Sequence, residues 1–343
     1  MKKNLYLLTG ILTASISSAL AQDIHSTTLP SVPTSSLTPV GGSSFRNSVV
    51  ASLHPGSPGA RPDNRADAIN NTGIFSAVDQ LADAPTHAGV RAVSKHTIPL
   101  GIPPIYSLSG EYNYLNTNDN RALGSDTQTH SMTLGGSVLL NGDFYLGLNY
   151  SYSATDSSVN RLGSYSNADA NFASLVIAKS FLRFLSVGLA AGYGNTDYTI
   201  VGAGTRTPAN MDTWSLSPFL SASYKTGALT TSLTAMYQFQ SDHTTAATIG
   251  AINDDTSKYS LALRATYAAT ERLKLQALAK YTQVVSGGSQ TPGLPDGRHW
   301  GTFGGRVSFA VTKPLEIYAA YAYDAFNIYL ETHTITGGLR YTF

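Results

Sequence analysis

The C-terminal residues alternate between apolar and polar side chains, and this alternation constrains the fold more than any other feature of the chain. In the closing stretch, Leu339, Tyr341 and Phe343 fall on one face of an extended strand, and Arg340 and Thr342 fall on the other. Such a strand is typical of a transmembrane β-barrel, in which the apolar face contacts lipid and the polar face lines the lumen. The ending therefore predicts a membrane-embedded sheet.

The N-terminus has the features of an export signal. Lys2 and Lys3 precede an apolar run over residues 5–12, and residues 19–21 are the small-residue pattern Ala-Leu-Ala that signal peptidase requires. We therefore expect residues 1–21 to be a signal peptide and the mature chain to begin at Gln22. The apolar run is too short to span a bilayer, so the sequence predicts export rather than helical anchoring.

Composition separates a barrel from a soluble exported protein. Charged residues make up 13% of the chain, which is about half of their share in a soluble domain. No apolar stretch after the signal is long enough for a membrane-spanning helix, so the hydrophobic residues must be distributed by alternation along strands. The formal charge of +1 and the lack of a basic run give no reason to expect nucleic acid as a partner.

The region before the barrel divides into two parts. Residues 22–62 are rich in Ser, Thr, Pro and Gly without periodicity, which predicts a disordered linker. Residues 63–105 contain a possible short helix, in which Ile74, Ala77, Val78 and Leu81 share one face. Two positions for this helix stay open. It belongs to a periplasmic linker, or it passes through the barrel as a plug.

Alternation and turn spacing predict twelve strands over residues 106–343. Tight turns at 141–143, 182–183, 226–227, 269–272 and 313–314 alternate with longer polar loops at 116–126, 155–167, 200–209, 241–257, 286–298 and 328–331. Bacterial outer-membrane barrels have short periplasmic turns, longer outside loops and an even strand number, so both termini are expected in the periplasm. The expected fold class is all-β, a twelve-stranded antiparallel transmembrane barrel.

An exported chain with a polar N-terminal stretch, a short helix and a C-terminal twelve-stranded barrel resembles the β-domain of autotransporters. The resemblance rests on the strand, turn and strand at residues 134–152 and on the ending at residues 337–343. It implies a non-enzymatic outer-membrane barrel that anchors or displays a short N-terminal segment and the outside loops. It also implies contact with outer-membrane lipid, and recognition of Leu339, Tyr341 and Phe343 as an insertion signal by the barrel assembly machinery.

The predicted register gives the lumen two different walls. One wall is expected to carry small polar side chains. The other is expected to carry charged residues: Glu111, Arg264, Lys274, Lys280, Arg306, Glu316, Asp324 and Arg340. Because ladders of Arg and Lys select anions, the charged wall is consistent with a narrow diffusion porin of weak anion preference. The same residues are also consistent with opposite charges that pair across neighbouring strands.

Enzymatic and metal sites have weaker support. Asp242-His243 and Asp254-Asp255 resemble the acidic pair and Asp-His pair of omptin proteases, but both are predicted to lie in one outside loop, where solvated loop charges are the simpler interpretation. The eight histidines are scattered, and His299, Trp300 and His333 are expected in an outward aromatic belt. No metal ion or cofactor is expected.

Overall fold

The computed structural model describes residues 63–83, 103–119, 125–141, 143–159, 164–182, 184–202, 205–246, 250–286, 299–325 and 330–343. The expected signal peptide and linker, residues 1–62, lie outside the described residues, as does most of the segment between the helix and the barrel. In the described part of the chain, no helix is long and apolar enough to cross a membrane.

The chain forms a closed antiparallel barrel of twelve strands preceded by one helix, which confirms the predicted fold class. Strands adjacent in sequence are adjacent in the sheet, and β1 pairs with β12. The elements are α1 (Asp63–Asp83), β1 (Ile105–Asp119), β2 (Ser125–Leu140), β3 (Phe144–Val159), β4 (Ser164–Leu182), β5 (Leu185–Gly202), β6 (Thr205–Thr226), β7 (Leu229–Ala246), β8 (Gly250–Ala268), β9 (Leu273–Ser286), β10 (His299–Ala310), β11 (Leu315–Ala325) and β12 (Leu330–Thr342).

The last residue of the chain completes the closure. The backbone amides of Tyr106 and Phe343 each donate a hydrogen bond of 2.9 Å to the carbonyl oxygen of the other residue. Their rings stack with centroids 5.8 Å apart on the outer face. Leu339, Tyr341 and Phe343 are all exposed on that face, as the alternation of the C-terminal stretch predicts. Closure leaves no strand edge unpaired, which a sheet in lipid requires.

Several predicted loops are wrong because the strands continue through them. We call the end of the barrel that carries the connections 141–143, 183–184, 227–228, 269–272 and 311–314 the turn end, and the opposite end the loop end. At the loop end, residues 203–204 alone separate β5 from β6, and 247–249 alone separate β7 from β8. Polar residues at these positions indicate a loop, but a strand that lies outside the membrane can also be polar on both faces. The predicted alternation of short and long connections is therefore lost.

The outer face carries an apolar band that is displaced toward the turn end. On β6 the band lies between Trp214 and Tyr224, both exposed, with Leu216 and Leu220 exposed between them. The ten residue steps from Trp214 to Tyr224 extend about 33 Å along a strand. At a strand tilt of about 40° this is about 25 Å along the barrel axis, the height of the apolar band of outer-membrane barrels.

Polar side chains replace the apolar ones above this band, toward the loop end. Tyrosines at the boundary donate hydrogen bonds to outward polar groups on the next strand: Tyr150 to Asn171 at 2.6 Å, Tyr152 to Asp169 at 2.7 Å and Tyr193 to Asp212 at 3.0 Å. Carboxylates on the outer face are costly in lipid, so this part of the barrel lies outside an apolar layer. The barrel therefore projects from one side of the band.

One glycine of the C-terminal stretch permits a contact that crosses a strand. The ring of Tyr318 on β11 passes over Gly338 on β12, where an added Cβ would lie 2.4 Å from both Cζ and Oη of the tyrosine. The Tyr318 hydroxyl then donates to Glu111 on β1 at 2.9 Å. A Cβ at the preceding Gly337, in contrast, meets nothing within 4 Å.

The two adjacent glycines give a matched test of this contact. We expect Gly338→Ala to lower the free energy of unfolding by about 1–3 kcal/mol, because the new methyl group displaces Tyr318. Gly337→Ala should change it by less than about 1 kcal/mol. Urea titration of the refolded barrel, followed by tryptophan fluorescence, measures both values. Equal effects of the two substitutions would contradict the contact.

Candidate functional site

Helix α1 lies inside the barrel and packs against one wall of the lumen. It contacts strands β2 to β6, and Arg264 of β8 reaches it from another part of the wall. Ile74, Ala77, Val78 and Leu81 are between 0% and 7% exposed and form one cluster with wall residues that include Val176. Full burial of an Ile or Val side chain contributes about 1.5–3 kcal/mol. The apolar face predicted for this helix is therefore the face that packs on the wall.

Gly73 brings the helix backbone close to the wall. An added Cβ would lie 2.7 Å from Cγ2 of Val176 and 2.8 Å from Nδ2 of Asn149. Glycine inside a helix costs about 1 kcal/mol relative to alanine. Here the glycine allows the helix to approach the sheet more closely than a larger residue would permit.

An ion pair holds the opposite side of the helix. Nη2 of Arg264 donates to both carboxylate oxygens of Asp79, at 2.6 and 2.5 Å, and Nη1 donates to the carbonyl oxygen of Phe75 at 3.3 Å. The guanidinium also lies over the Phe75 ring, 4.7 Å from its centroid. The Arg264 side chain is 5% exposed and that of Asp79 is 30% exposed. Removal of one partner from such a pair leaves a charge in a site with little water.

The direction of α1 in the lumen follows from its contacts. Gln80, near its C-terminal end, donates to Ser137, which lies three residues before the turn end of β2. Gly73 contacts Asn149 and Val176 nearer the middle of their strands. A helix of 21 residues is about 31 Å long. The helix therefore begins toward the loop end and finishes at the turn end.

The structure places the eight charged residues predicted for the lumen on the inner face, where most have polar partners. Glu316 accepts from Arg306 at 3.3 Å and lies 4.0 Å from Nζ of Lys274. Thr302 donates to Asp324 at 2.6 Å. Lys280 lies on the inner face of β9, opposite Ala262 and Thr302. Their roles stay predictions, but the contacts favour paired charges over an open cationic ladder.

A second network of polar contacts links β10, β11, β1 and β12. The Arg306 guanidinium lies 3.5 Å above the centroid of the Tyr318 ring, whose hydroxyl donates to Glu111. Asn113 donates to the other Glu111 oxygen at 3.0 Å and accepts from Thr336 at 2.6 Å. Glu111 is therefore held by neutral donors, without a cation at hydrogen-bond distance among the described residues.

The residues considered for a protease site lie on strands, not in a loop. Asp242 faces inward, where Thr213 and Gln240 donate to it at 2.6 and 2.9 Å. His243 faces outward and bonds Asn253 at 2.5 Å. An Asp and a His on opposite faces of one strand cannot act on the same water. Asp254 lies directly opposite Asp242, whereas Asp255 is on the outer face.

Trp300 is a further correction to the sequence prediction. It is 9% exposed and lies on the inner face of β10, whereas an outward position in the aromatic belt was expected. His299 and His333 do lie outward, beside Tyr281 and Tyr321 respectively. Trp300 is adjacent to His299, so the alternation of the strand places only one of them outside.

Sequence reasoning missed several residues of the lumen. Asp79 and Tyr318 bind lumen charges, but neither was singled out. The available sequence signal for Asp79 is an acidic residue on the polar side of the predicted helix, since the charged wall of the lumen is expected to include Arg and Lys residues. Val176 was missed because the phase of β4 could not be read from its sequence. Asp254, which falls in the predicted loop at 241–257, lies on a strand and faces the lumen. Lys258, just after that predicted loop, also faces the lumen.

A cavity of 570 Å³ remains at the turn end, below the C-terminal end of the helix. Asp79, Gln80 and Ala82 form its upper side, and the turns that contain Gly227 and Lys313 surround its mouth. Arg306, Arg340 and Lys274 contribute to its wall. The described lumen is thus filled by the helix in its middle part and open at one end.

Comparison with known proteins supports the fold. No protein-family model and no curated protein sequence matches the chain. The translocator domain of autotransporter NalP from Neisseria meningitidis is similar in structure, with a TM-score of 0.58, 14% identity, and coverage of 78% of this chain and 97% of that one. The β-domain of the Bordetella autotransporter Brka has a TM-score of 0.54 at 16% identity and covers 69% and 99%. The chain therefore has an autotransporter β-domain-like fold.

The Arg264–Asp79 pair can be measured against a weaker pair in the same lumen. A double-mutant cycle of Arg264→Ala and Asp79→Ala should give a coupling energy of about 1.5–3 kcal/mol, because the pair is short and mostly desolvated. Lys274 and Glu316, 4.0 Å apart with the lysine 44% exposed, should couple by less than about 1 kcal/mol. Urea unfolding of the refolded full chain provides the energies. Similar values for the two cycles would contradict the assigned difference.

Proposed function

We propose that the protein is an integral outer-membrane barrel that anchors its own N-terminal segment, with α1 passing through the lumen as a non-enzymatic plug and linker. The observation that carries this proposal is the position of the helix. Its apolar face is buried on one wall and Asp79 is bound by Arg264. A helix held at both sides stands in the path that a solute would take.

The direction of the helix supports display of the preceding residues. Because α1 begins toward the loop end, the preceding segment is displayed from that end under this proposal. The polar extension of the outer face is at the same end, and strand ends that project beyond an apolar band meet water. In outer-membrane barrels the termini of the sheet are periplasmic, which assigns the turn end to the periplasm and the loop end to the outside.

The alternative is a narrow diffusion channel for anions. The turn-end cavity, with its cationic wall, is the observation that favours it. That function requires either that the helix moves out of the lumen or that a passage for ions stays open beside it. The two proposals therefore differ in whether the complete chain conducts ions.

Conductance in planar bilayers separates the two proposals. We expect the refolded mature chain to show little conductance and a version deleted from Gln22 to Pro99 to conduct, since the deletion removes the helix. If both versions conduct equally and favour anions, and Lys274→Glu with Lys280→Glu abolishes the preference, the protein is a channel and the anchoring proposal is wrong.

Accessibility on intact cells tests the orientation. An epitope inserted after Gly56 should be detected by antibody without permeabilising the cells, because it precedes the helix on the loop-end side. The same epitope inserted in the 269–272 turn is the control and should be detected only after permeabilisation. The reverse pattern, or detection of neither epitope on intact cells, would contradict display of the segment.

A further inference from the structure

The inner face of the barrel is apolar at the loop end, where the wall projects beyond the apolar band. Four inward residues there are direct neighbours across adjacent strands: Ala168 with Tyr198, Tyr198 with Ala209, and Ala209 with Ala246. Together with two further residues of β5 and β6 they form one cluster, whose members are 1–9% exposed: Ala168, Tyr198, Ile200, Ala209, Met211 and Ala246. We call these six residues the loop-end cluster.

The outer face is polar at the same height. Asp169, Asp197 and Asp212 adjoin members of the loop-end cluster in sequence and face outward, where Tyr152, Asn210 and Tyr193 donate hydrogen bonds to them. The polarity of the wall is therefore the reverse of that in the apolar band, where apolar side chains face lipid. A wall with water outside and an apolar inner face is stabilised by an apolar partner inside the barrel.

Helix α1 starts below the loop-end cluster. Gly73 is level with Val176, whose partner on β5 is Ala190. Tyr198 is eight residues farther along β5, which is about 20 Å along the barrel axis at a strand tilt of about 40°. Asp63, the first residue of α1, is ten residues before Gly73, or about 15 Å of helix. The cluster thus lies beyond the start of the helix.

The described apolar side chains of α1 do not belong to this cluster. Ile74, Ala77, Val78 and Leu81 form a separate cluster with Val176 and its neighbours. The first nine residues of the helix, 63–71, are mostly polar in sequence. The apolar partner is therefore expected in the chain that precedes α1.

One stretch of that preceding chain has the necessary composition. Residues 45–53 contain four large apolar residues, Phe45, Val49, Val50 and Leu53, and no other nine-residue stretch of residues 22–62 contains as many. Leu53 is ten residues before Asp63, and ten residues of extended chain reach about 33 Å. The distance from the start of α1 to the loop-end cluster is well within this reach.

We propose that residues 45–53 pack on the loop-end cluster and close the barrel a second time, above the helix. A segment that is disordered alone becomes ordered when it binds an apolar surface of this kind. Residues 54–62 then link the bound stretch to α1 at the open end of the barrel. Display of the N-terminal segment begins with the residues before Phe45.

This proposal rests on one part of the proposed function, the position of α1 in the lumen with its first residue toward the loop end. It does not depend on which side of the membrane the loop end faces. A failure of the accessibility experiment on intact cells therefore leaves it intact.

Thiol reactivity of the refolded mature chain in detergent measures whether the cluster is covered. The chain has no cysteine, so Ala209→Cys introduces a single thiol in the cluster. Arg206→Cys is the reference, because Arg206 is exposed on the outer face of the same strand. We expect a water-soluble maleimide to modify Ala209→Cys at least about tenfold more slowly than Arg206→Cys, since it needs a local opening to react. Equal rates would overturn the proposal.

Substitutions in the N-terminal segment identify what covers the cluster. Replacing the four apolar residues of 45–53 by Ser should raise the rate at Ala209→Cys about tenfold or more, because the apolar contact is lost. Met211→Cys is a second reporter if Ala209→Cys does not fold. The matched control replaces four apolar residues farther from α1 by Ser and should leave the rate unchanged: Leu29, Val32, Leu37 and Val40. Continued protection in the 45–53 variant, or an equal effect of the control, would show another cover and refute the proposal.

A third reporter separates this proposal from the plug itself. Val78 is 2% exposed in the middle of the lumen, and Val78→Cys should stay protected in both Ser variants. If Val78→Cys is protected but the 45–53 variant does not expose Ala209→Cys, the plug is retained and only the docking is wrong. If Val78→Cys reacts rapidly in the unaltered segment background, the plug and the docking both fail.

Photochemical cross-linking tests the contact directly. A benzophenone amino acid in place of Phe45 should form cross-links to peptides of β5 and β6 in outer-membrane preparations, identified by mass spectrometry. The same amino acid in place of Leu29 is the control and should form none to these strands. Cross-links of the Phe45 position to other proteins alone, or to none, would contradict the docking.

Discussion

The hydrogen bonding of the backbone in lipid is the constraint on which the rest of the structure depends. A membrane-spanning sheet leaves no donor or acceptor without a partner only if it closes, and here β1 closes on β12 through Tyr106 and Phe343. Side chains alone can fill the lumen of an eight-stranded barrel, but closure of twelve strands creates a wider lumen. The small and glycine-rich wall of β2 to β6 leaves room for a helix, and α1 occupies it.

The two walls of the lumen stabilise the helix by different interactions. Against β2 to β6 the helix is held by close packing, in which Gly73 lies next to Val176 and Asn149. On the other side the helix has a charged group to bind, and Arg264 approaches Asp79 and the Phe75 carbonyl. Apolar burial supplies stability, and the ion pair adds geometric specificity, because only one rotation of the helix brings Asp79 to the arginine. Below the helix the packing ends and a cationic cavity remains.

The barrel could be predicted from the sequence because side chains alternate between the two faces of a strand. This alternation can be recognised even where the ends of the strand are misplaced by a few residues. The alternation of Leu339, Tyr341 and Phe343 with Arg340 and Thr342 is local, and so is the apolar face of the helix. The loops were predicted less well, since outward polar residues such as Asp169 and Asp212 look like loop residues until the height of the apolar band is known. Contacts such as Tyr318 over Gly338 or Arg264 with Asp79 join distant parts of the chain, and no local pattern encodes them.

The central claim is that α1 lies in the lumen of the folded protein, and cysteine cross-linking tests it directly. The chain has no cysteine, so Gln80→Cys combined with Ser137→Cys introduces the only possible pair, at two positions whose side chains contact each other at 3.1 Å. Gln80→Cys with Gly337→Cys, which faces outward, is the matched control. A short bifunctional thiol reagent should join the first pair within one chain in outer-membrane preparations and leave the second pair unjoined. Failure of the first pair to cross-link, with both thiols free to react with a membrane-impermeant reagent, would contradict a helix in the lumen.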